Sequence, residues 1–119
     1  MQNTAAENWF QSLKSIWINK DIEHVGSLLS SNFQYYENPF EPPLTSLDEI
    51  KSAWKEVSDQ DIIKLEISPL VSRENEGSAS YEFSYKDTKG NTHSSQGAYY
   101  VKLDDQRKAI EFRQWWVNR

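Results

Sequence analysis

Four consecutive segments in the second half of the chain alternate apolar with polar residues, and this pattern constrains the fold more than any other feature. In one segment every second residue is apolar or aromatic: Ala79, Tyr81, Phe83 and Tyr85. A period of two sends successive side chains to opposite faces of a β-strand. Three turn-forming stretches separate the segments, at positions 75–77, 89–91 and 104–105. The pattern predicts a meander of four long antiparallel strands with one solvated face.

The first half of the chain has the period of helices instead. An apolar stripe that includes Trp9, Leu13 and Trp17 predicts a helix from residue 5 to residue 20. Asp21 can cap a second, short helix over 22–30. A capping box at positions 46–49 opens a third helix, whose apolar stripe holds Leu47, Ile50, Trp54 and Val57. Three helices followed by a meander predict an α+β domain, with the helices packed on one face of a curved antiparallel sheet.

Composition limits the classes of function. The chain has 119 residues, which fits one domain spanning 1–119. It has no cysteine, which excludes disulfides and favours a reducing compartment, so we expect a cytoplasmic protein. The formal net charge is -5 without a basic cluster, which argues against nucleic acid as a partner. No apolar run approaches the ~20 residues of a membrane span, and we expect neither a membrane partner nor a secretory signal.

Three stretches, "YYENPFEPP", "LDEIKSAW" and "EFRQWWVNR", carry a resemblance to a known fold. With the order α-α-β-α-β-β-β-β, the chain resembles the nuclear transport factor 2-like superfamily, also called the SnoaL-like or cystatin-like cone. The last stretch is similar to the Glu/Gln-Trp-Trp ending of an uncharacterised bacterial branch. The resemblance implies a sheet that curls around the helices and leaves an internal pocket at the open end of a cone. It leaves the function open, because this fold hosts isomerases, cyclases, hydrolases and binding modules.

The segment between the second and third predicted helices concentrates aromatic residues where prolines exclude both a helix and a central strand. Such a segment is either an active-site loop or a plug that closes one end of a core. The resemblance implies that residues 35–40 cross the mouth of the cone. There they form a wall and lid, or they contact a ligand directly through Tyr36, Asn38 or Phe40.

The inner face of the predicted sheet decides whether acid–base catalysis is expected, because the resemblance implies that enzymes of this fold use inward-facing carboxylates. By alternation, the inward positions are Ile63, Leu65, Ile67, Ala79, Tyr81, Phe83, Tyr85, Ser95, Tyr99, Val101, Ile110, Phe112, Gln114 and Trp116. They include no Asp or Glu, although a bulge, for which Gly97 marks a place, would invert one strand. The alternation therefore disfavours acid–base enzymology without removing it.

The other candidate catalytic, metal-binding and phosphate-binding groups have less support in the sequence. Glu37 is the carboxylate nearest the predicted mouth, where it is either a base or a solvated rim residue. His24 and His93 are far apart in the sequence and have no acidic cluster beside them, so we expect no metal site. The glycines do not form a phosphate-binding loop, and we expect no cofactor.

With carboxylates, metal ligands and a phosphate loop disfavoured, the predicted site is a pocket of aromatic rings with a few hydroxyl and amide groups. Such a pocket suits a small, flat, largely apolar ligand. The predicted ligand-binding residues are Tyr36, Asn38, Phe40, Trp54, Tyr81, Tyr85, Tyr99 and Gln114. One alternative is a cofactor-independent isomerase, cyclase or hydrolase of the steroid-isomerase or polyketide-cyclase type. The other is a dimeric interaction module whose cone is filled by side chains.

The predicted outer face of the sheet is polar except near its end. Tyr100 and Trp115 fall on this face, and exposed aromatic residues that lie close together more often mark an interface than a free surface. The resemblance points the same way, since members of this fold often pair through the open sheet face. We therefore expect a homodimer with Tyr100, Arg113 and Trp115 near the centre of its interface.

Overall fold

A computed structural model describes residues 4–118, apart from the side chain of Glu56. Residues 1–3 and 119 of the predicted domain lie outside the described residues. The helices are α1 (Ala5–Ile18), a 3-10 helix (Ile22–Leu28), α2 (Leu47–Ala53) and the single turn α3 (Lys55–Ser58). The strands are β1 (Leu29–Tyr36), β2 (Asp61–Ser72), β3 (Glu76–Lys86), β4 (Thr92–Leu103) and β5 (Ala109–Asn118). The predicted α+β class and the order of its elements are confirmed.

The sheet has the strand order β1-β5-β4-β3-β2. Strands β2 to β5 pair antiparallel with their sequence neighbours, which confirms the predicted meander. Strand β1 lies at the edge and pairs parallel with β5, so the sheet is mixed and not wholly antiparallel as predicted. Helices α2 and α3 and three strands of the meander lie between β1 and β5 in the sequence, and this long crossover brings β5 back in the direction of β1.

Helices α1 and α2 begin at side-chain caps. The Thr4 hydroxyl accepts a hydrogen bond from the backbone N–H of Glu7, and the Glu7 carboxylate accepts one from the backbone N–H of Thr4. The predicted cap of the third helix is confirmed, because Ser46 accepts from the N–H of Glu49 at 3.2 Å. The predicted cap at Asp21 is wrong, since its carboxylate bonds the His24 ring at 2.7 Å and a 3-10 helix follows.

Stacked rings fill the core between α1 and the sheet. The Tyr99 ring lies between those of Tyr81 and Phe10, with centroids 4.2 and 6.2 Å away, and Trp9 contacts Phe112 at 5.4 Å. Trp54 is 5% exposed, as its place on the helical stripe predicts. The aromatic residues in the middle of the alternating segments therefore close the narrow part of the cone.

Two bulges shift residues away from the predicted inner face. A register shift in β2 leaves Ile63 54% exposed, while Ile62 packs against the core. A second shift at the β4–β5 turn buries Ala109, and Ile110 lies on a surface cleft instead. No bulge occurs at Gly97, whose pairing with both neighbouring strands is regular. Hence the prediction was wrong for Ile63 and Ile110, because a bulge reverses the alternation locally.

None of the helices within residues 4–118 combines the length and the apolar character that a membrane crossing requires.

Candidate functional site

A cavity of about 420 Å³ lies on the inner side of the sheet, where β3, β4 and β5 meet the loop after β1 and the end of α1. We call it the aromatic cavity. Five aromatic side chains line it: Trp17, Tyr81, Phe83, Tyr85 and Trp116. Its volume falls within the range of roughly 300–1,000 Å³ that is usual for small-molecule sites. The packed core therefore leaves room for a ligand at the wide end of the cone.

Polar groups are interspersed with these rings. Four carboxamides line the aromatic cavity, those of Asn38, Gln60, Gln114 and Asn118, together with the hydroxyl of Ser95. Glu37 and Glu41 add two carboxylates, and the described lining residues include no Lys, Arg or His. The cavity is therefore rich in uncharged hydrogen-bonding groups, and its charged groups are acidic.

The rings on one wall form a continuous contact series. Trp17 contacts Trp54 on its buried side, with centroids 5.6 Å apart, and Phe83 at 4.9 Å. Phe83 is stacked on Tyr85 at 5.2 Å, and Tyr85 is stacked on His93 at 5.0 Å. The end of α1 and strand β3 thus position this wall through ring packing, with Trp54 behind it.

The opposite wall joins β5 to the loop after β1. The indole N–H of Trp116 donates to the backbone carbonyl oxygen of Glu37 at 3.3 Å. This bond ties the Trp116 side chain to the loop at the cavity mouth. Trp115, the preceding residue of β5, lies on the outer face, because adjacent strand residues point in opposite directions.

Two residues that line the cavity each carry a buried polar atom that has no hydrogen-bond partner among the described residues and is not accessible from the cavity. The atoms are Nε1 of Trp17, a donor, and Oε1 of Gln60, an acceptor. The hydroxyl of Tyr99, deeper in the core, is also buried without a hydrogen-bond partner. A buried polar group without a partner costs about 1–3 kcal/mol, so each such atom calls for an explanation.

Burial changes the acidity of the core phenols. It raises the pKa of Tyr81, which lines the cavity, well above the ordinary value for tyrosine. It does the same for Tyr99, where the neighbouring phenols of Tyr81 and Tyr35 add to the effect. A buried phenol is harder to ionise, so these hydroxyls stay neutral donors at and well above neutral pH.

Of the eight predicted ligand-binding residues, four line the aromatic cavity: Asn38, Tyr81, Tyr85 and Gln114. Trp54 lies behind Trp17, and Tyr99 is fully buried in the core. Tyr36 lies on the outer face, where the Arg113 guanidinium sits 4.1 Å above its ring. Phe40 is 94% exposed on the loop.

Sequence reasoning left some lining residues out of the predicted site. Phe83, Ser95 and Trp116 fall on the predicted inner face, so their alternation was the signal that placed them there. Trp17 belongs to the helical stripe of α1, and its position at the open end of the cone depends on helix length. Gln60 follows α3 and precedes β2, and no pattern in the sequence marks it.

The ionisable side chains that the structure describes lie at or near the surface. None of the described charged side chains is buried, and the described residues contain no group of three or more His, Cys, Asp or Glu that could hold a metal ion. The His93 ring bonds the Asp87 carboxylate at 2.8 Å, and this bond is the main reason why the pKa of Asp87 is lowered. That pair is at the surface, behind the Tyr85 ring.

A second depression lies on the outer face beside the same loop. This outer cleft has a volume of about 690 Å³ and is largely apolar. Its lining consists of Asn38, Pro39, Phe40, Glu41, Gly97, Ala98, Trp115, Trp116 and Val117. Next to it, Arg113 bonds Glu111 at 2.7 Å, and Tyr100 donates to Glu76 at 2.9 Å. The predicted interface residues thus lie together beside an exposed apolar surface.

No protein-family model matches the chain, and no curated protein matches it by sequence. Solved structures do match. RV0760c from Mycobacterium tuberculosis, in complex with estradiol-17beta-hemisuccinate, is similar with a TM-score of 0.82 and 13% identity, over 97% of this chain and 95% of that chain. Δ5-3-ketosteroid isomerase from Mycobacterium sp. has a TM-score of 0.80 and 11% identity, over 97% and 95%. A computationally designed 17-OHP binder has a TM-score of 0.78 and 14% identity, over 99% and 98%.

These likenesses show the fold. The chain shares the α+β cone fold of these proteins, which is the fold that its motifs and element order predict.

Proposed function

We propose that this domain binds a small, flat, ring-bearing molecule in the aromatic cavity. The observation that carries the proposal is the ring of five aromatic side chains around about 420 Å³ of space that the packed core leaves open. Aromatic walls with a few polar groups are the usual lining of small-molecule sites. Four of the predicted ligand-binding residues belong to this lining: Asn38, Tyr81, Tyr85 and Gln114.

The similar structures support the proposal. RV0760c was solved with a steroid ester, and the designed protein is a 17-OHP binder. Both have this fold, and both are associated with a ring-bearing molecule.

An enzyme of the isomerase or cyclase type is the second candidate, favoured by the similarity to ketosteroid isomerase. The nearest carboxylates for such chemistry are Glu37 and Glu41 in the cavity lining. Glu37 is half-buried and Glu41 is exposed, whereas burial is what usually tunes a catalytic carboxylate. An interaction module with a filled cone is less favoured, because the cavity is open.

Binding of quinoline, a flat bicyclic compound, tests the proposal. We expect quinoline at millimolar concentration to shift the indole N–H resonances of Trp17 and Trp116 in two-dimensional NMR spectra. The variant Ser95→Phe should weaken binding about tenfold or more, since its ring fills the cavity. Ser94→Phe is the matched control, because the adjacent side chain bonds Ser84 on the outer face and its change should leave binding intact. Unchanged indole resonances at saturating solubility would refute the proposal.

We further propose that the protein is a homodimer through its outer face, near Tyr100, Arg113 and Trp115. Trp115 is 41% exposed beside the outer cleft, where an apolar surface of this extent favours association. Arg113 and Glu111 provide charges of both signs, which suits a surface that meets its own copy across a twofold axis.

Trp115→Glu should convert this dimer to a monomer, because it would place a charge in the interface. Val71→Glu, at an exposed apolar position on the far edge strand, is the control and should remain dimeric. Light scattering at tens of micromolar measures both. A wild-type mass near 13.9 kDa would rule out the dimer.

The remaining features of the proposal come from composition. We propose one domain over 1–119, which works without a metal or cofactor in the cytoplasm. The lack of cysteine supports a reducing compartment, and the scattered basic residues support the absence of a nucleic-acid partner.

A further inference from the structure

We infer that the mouth of the aromatic cavity takes a positive charge, so that the cavity prefers a flat ring with a quaternary or protonated nitrogen to a neutral ring of the same shape. The inference rests on the proposed function, since it names the ligand class of the same cavity. It is carried by the exposed indole of Trp116, by the carboxylates on the loop beside it and by the charge of the lining as a whole.

Trp116 offers the most accessible ring of the cavity wall. It is 43% exposed, whereas the other four lining rings are buried or half-buried. The Tyr85 ring, for comparison, already stacks on those of Phe83 and His93, and Trp116 stacks on no other aromatic side chain in the described part of the chain. The face of an indole attracts cations more strongly than that of any other aromatic side chain. Trp116 can therefore receive a cationic ring.

A hydrogen bond holds the Trp116 ring next to two acidic residues. The indole N–H donates to the backbone carbonyl oxygen of Glu37 at 3.3 Å, and both Glu37 and Glu41 line the cavity from this loop. Asn38 shapes the loop between them, since its side-chain oxygen accepts from the backbone N–H of Phe40 at 2.9 Å. A cation that stacks on Trp116 thus lies at the end of the cavity where the carboxylates are.

The described lining contains no basic side chain. The whole chain has a formal net charge of -5. Lys20, just beyond the end of α1 that carries Trp17, donates to the backbone carbonyl oxygen of Ser58 at 3.4 Å and does not line the cavity. The Arg113 guanidinium lies over the Tyr36 ring on the outer face. A cationic ligand therefore meets a favourable potential at the mouth, and an anionic ligand meets repulsion.

The pair N-methylquinolinium and 4-methylquinoline tests this inference, because the two compounds have the same shape and only the first is charged at mildly alkaline pH. We expect N-methylquinolinium to bind about tenfold more tightly in isothermal titration calorimetry at an ionic strength of about 0.01 M. At about 0.3 M this preference should shrink several-fold, since salt screens the attraction between charges. The affinity for 4-methylquinoline should not change with salt.

Glu41→Gln keeps the size of the side chain and removes its charge, so it should weaken N-methylquinolinium about threefold and leave 4-methylquinoline unchanged. Glu37→Gln is a second variant with the same expected result. Trp116→Leu removes the indole face and should weaken N-methylquinolinium more than 4-methylquinoline. Asp105→Asn is the control: it makes the same change in net charge at the exposed β4–β5 turn, at the end of β4 opposite to Ser95, and should change neither affinity.

Equal affinities for the two compounds at the lower ionic strength would overturn the inference and leave the proposed function standing. A preference for the cation that both glutamate variants and Trp116→Leu leave intact, or that Asp105→Asn reduces as much as Glu41→Gln does, would also overturn it. The proposed function itself fails if neither compound binds or if Ser95→Phe leaves both affinities unchanged.

Discussion

Trp54→Ala is expected to lower the free energy of unfolding by about 3–5 kcal/mol. Trp54 is 5% exposed at the end of α2, and its ring contacts that of Trp17 at 5.6 Å. Removing a buried indole loses its apolar contacts and leaves a cavity that neighbouring helices fill only in part. Urea denaturation measures the change.

Phe40→Ala is the matched control for this substitution. The Phe40 ring is 94% exposed, so its removal should change stability by no more than about 0.5 kcal/mol. A melting temperature for Trp54→Ala within a degree or two of wild type would show that Trp54 is a mobile lid residue. Because Trp54 supports Trp17, the same substitution should also loosen one wall of the aromatic cavity.

Gly97→Ala is expected to cost about 3 kcal/mol or more, at or beyond the upper end of ordinary overpacking. A Cβ at Gly97 would lie 1.8 Å from the carbonyl oxygen of Trp115 and 2.8 Å from its carbonyl carbon. These are backbone atoms of the paired strand β5, so no side-chain rotation relieves the clash. Strands β4 and β5 would have to separate where one carries Trp115 and Trp116.

Gly26→Ala is the control, because a Cβ there meets only the flexible end of the Leu47 side chain, at 3.2 Å. We expect it to change stability by less than about 1 kcal/mol. Chemical denaturation of both variants separates the two cases. If Gly97→Ala unfolds at the same denaturant midpoint as the wild type, then β4 and β5 do not approach as closely at Gly97 as the structure indicates.

The sequence predicted the meander because residues such as Tyr81 and Phe83 alternate without interruption. It predicted the burial of Trp54 because the helical stripe is regular. It could not predict the parallel pairing of β1 with β5, since strand partners far apart in sequence leave no local pattern. The bulges that exposed Ile63 and displaced Ile110 were also hidden, because a bulge changes the register without changing the residue types.

The candidate site was predictable to the extent that it follows strand alternation. Gln114 and Tyr85 lie on the predicted inner face and line the cavity. Tyr36 does not line the cavity. The alternation of Phe33 and Tyr35 on the inner side already indicates that Tyr36 lies on the outer face. Gln60 has its place through the turn between α3 and β2, where its backbone N–H donates to the carbonyl oxygen of Val57 at 3.1 Å, and no local signal in the sequence indicates this turn.

A crystal structure of the protein with quinoline would show where a flat bicyclic compound binds. We expect flat density in the aromatic cavity, between the wall formed by Trp17 and Tyr85 and the wall formed by Trp116. A cavity closed by these side chains, with quinoline bound elsewhere or not at all, would contradict the proposed function.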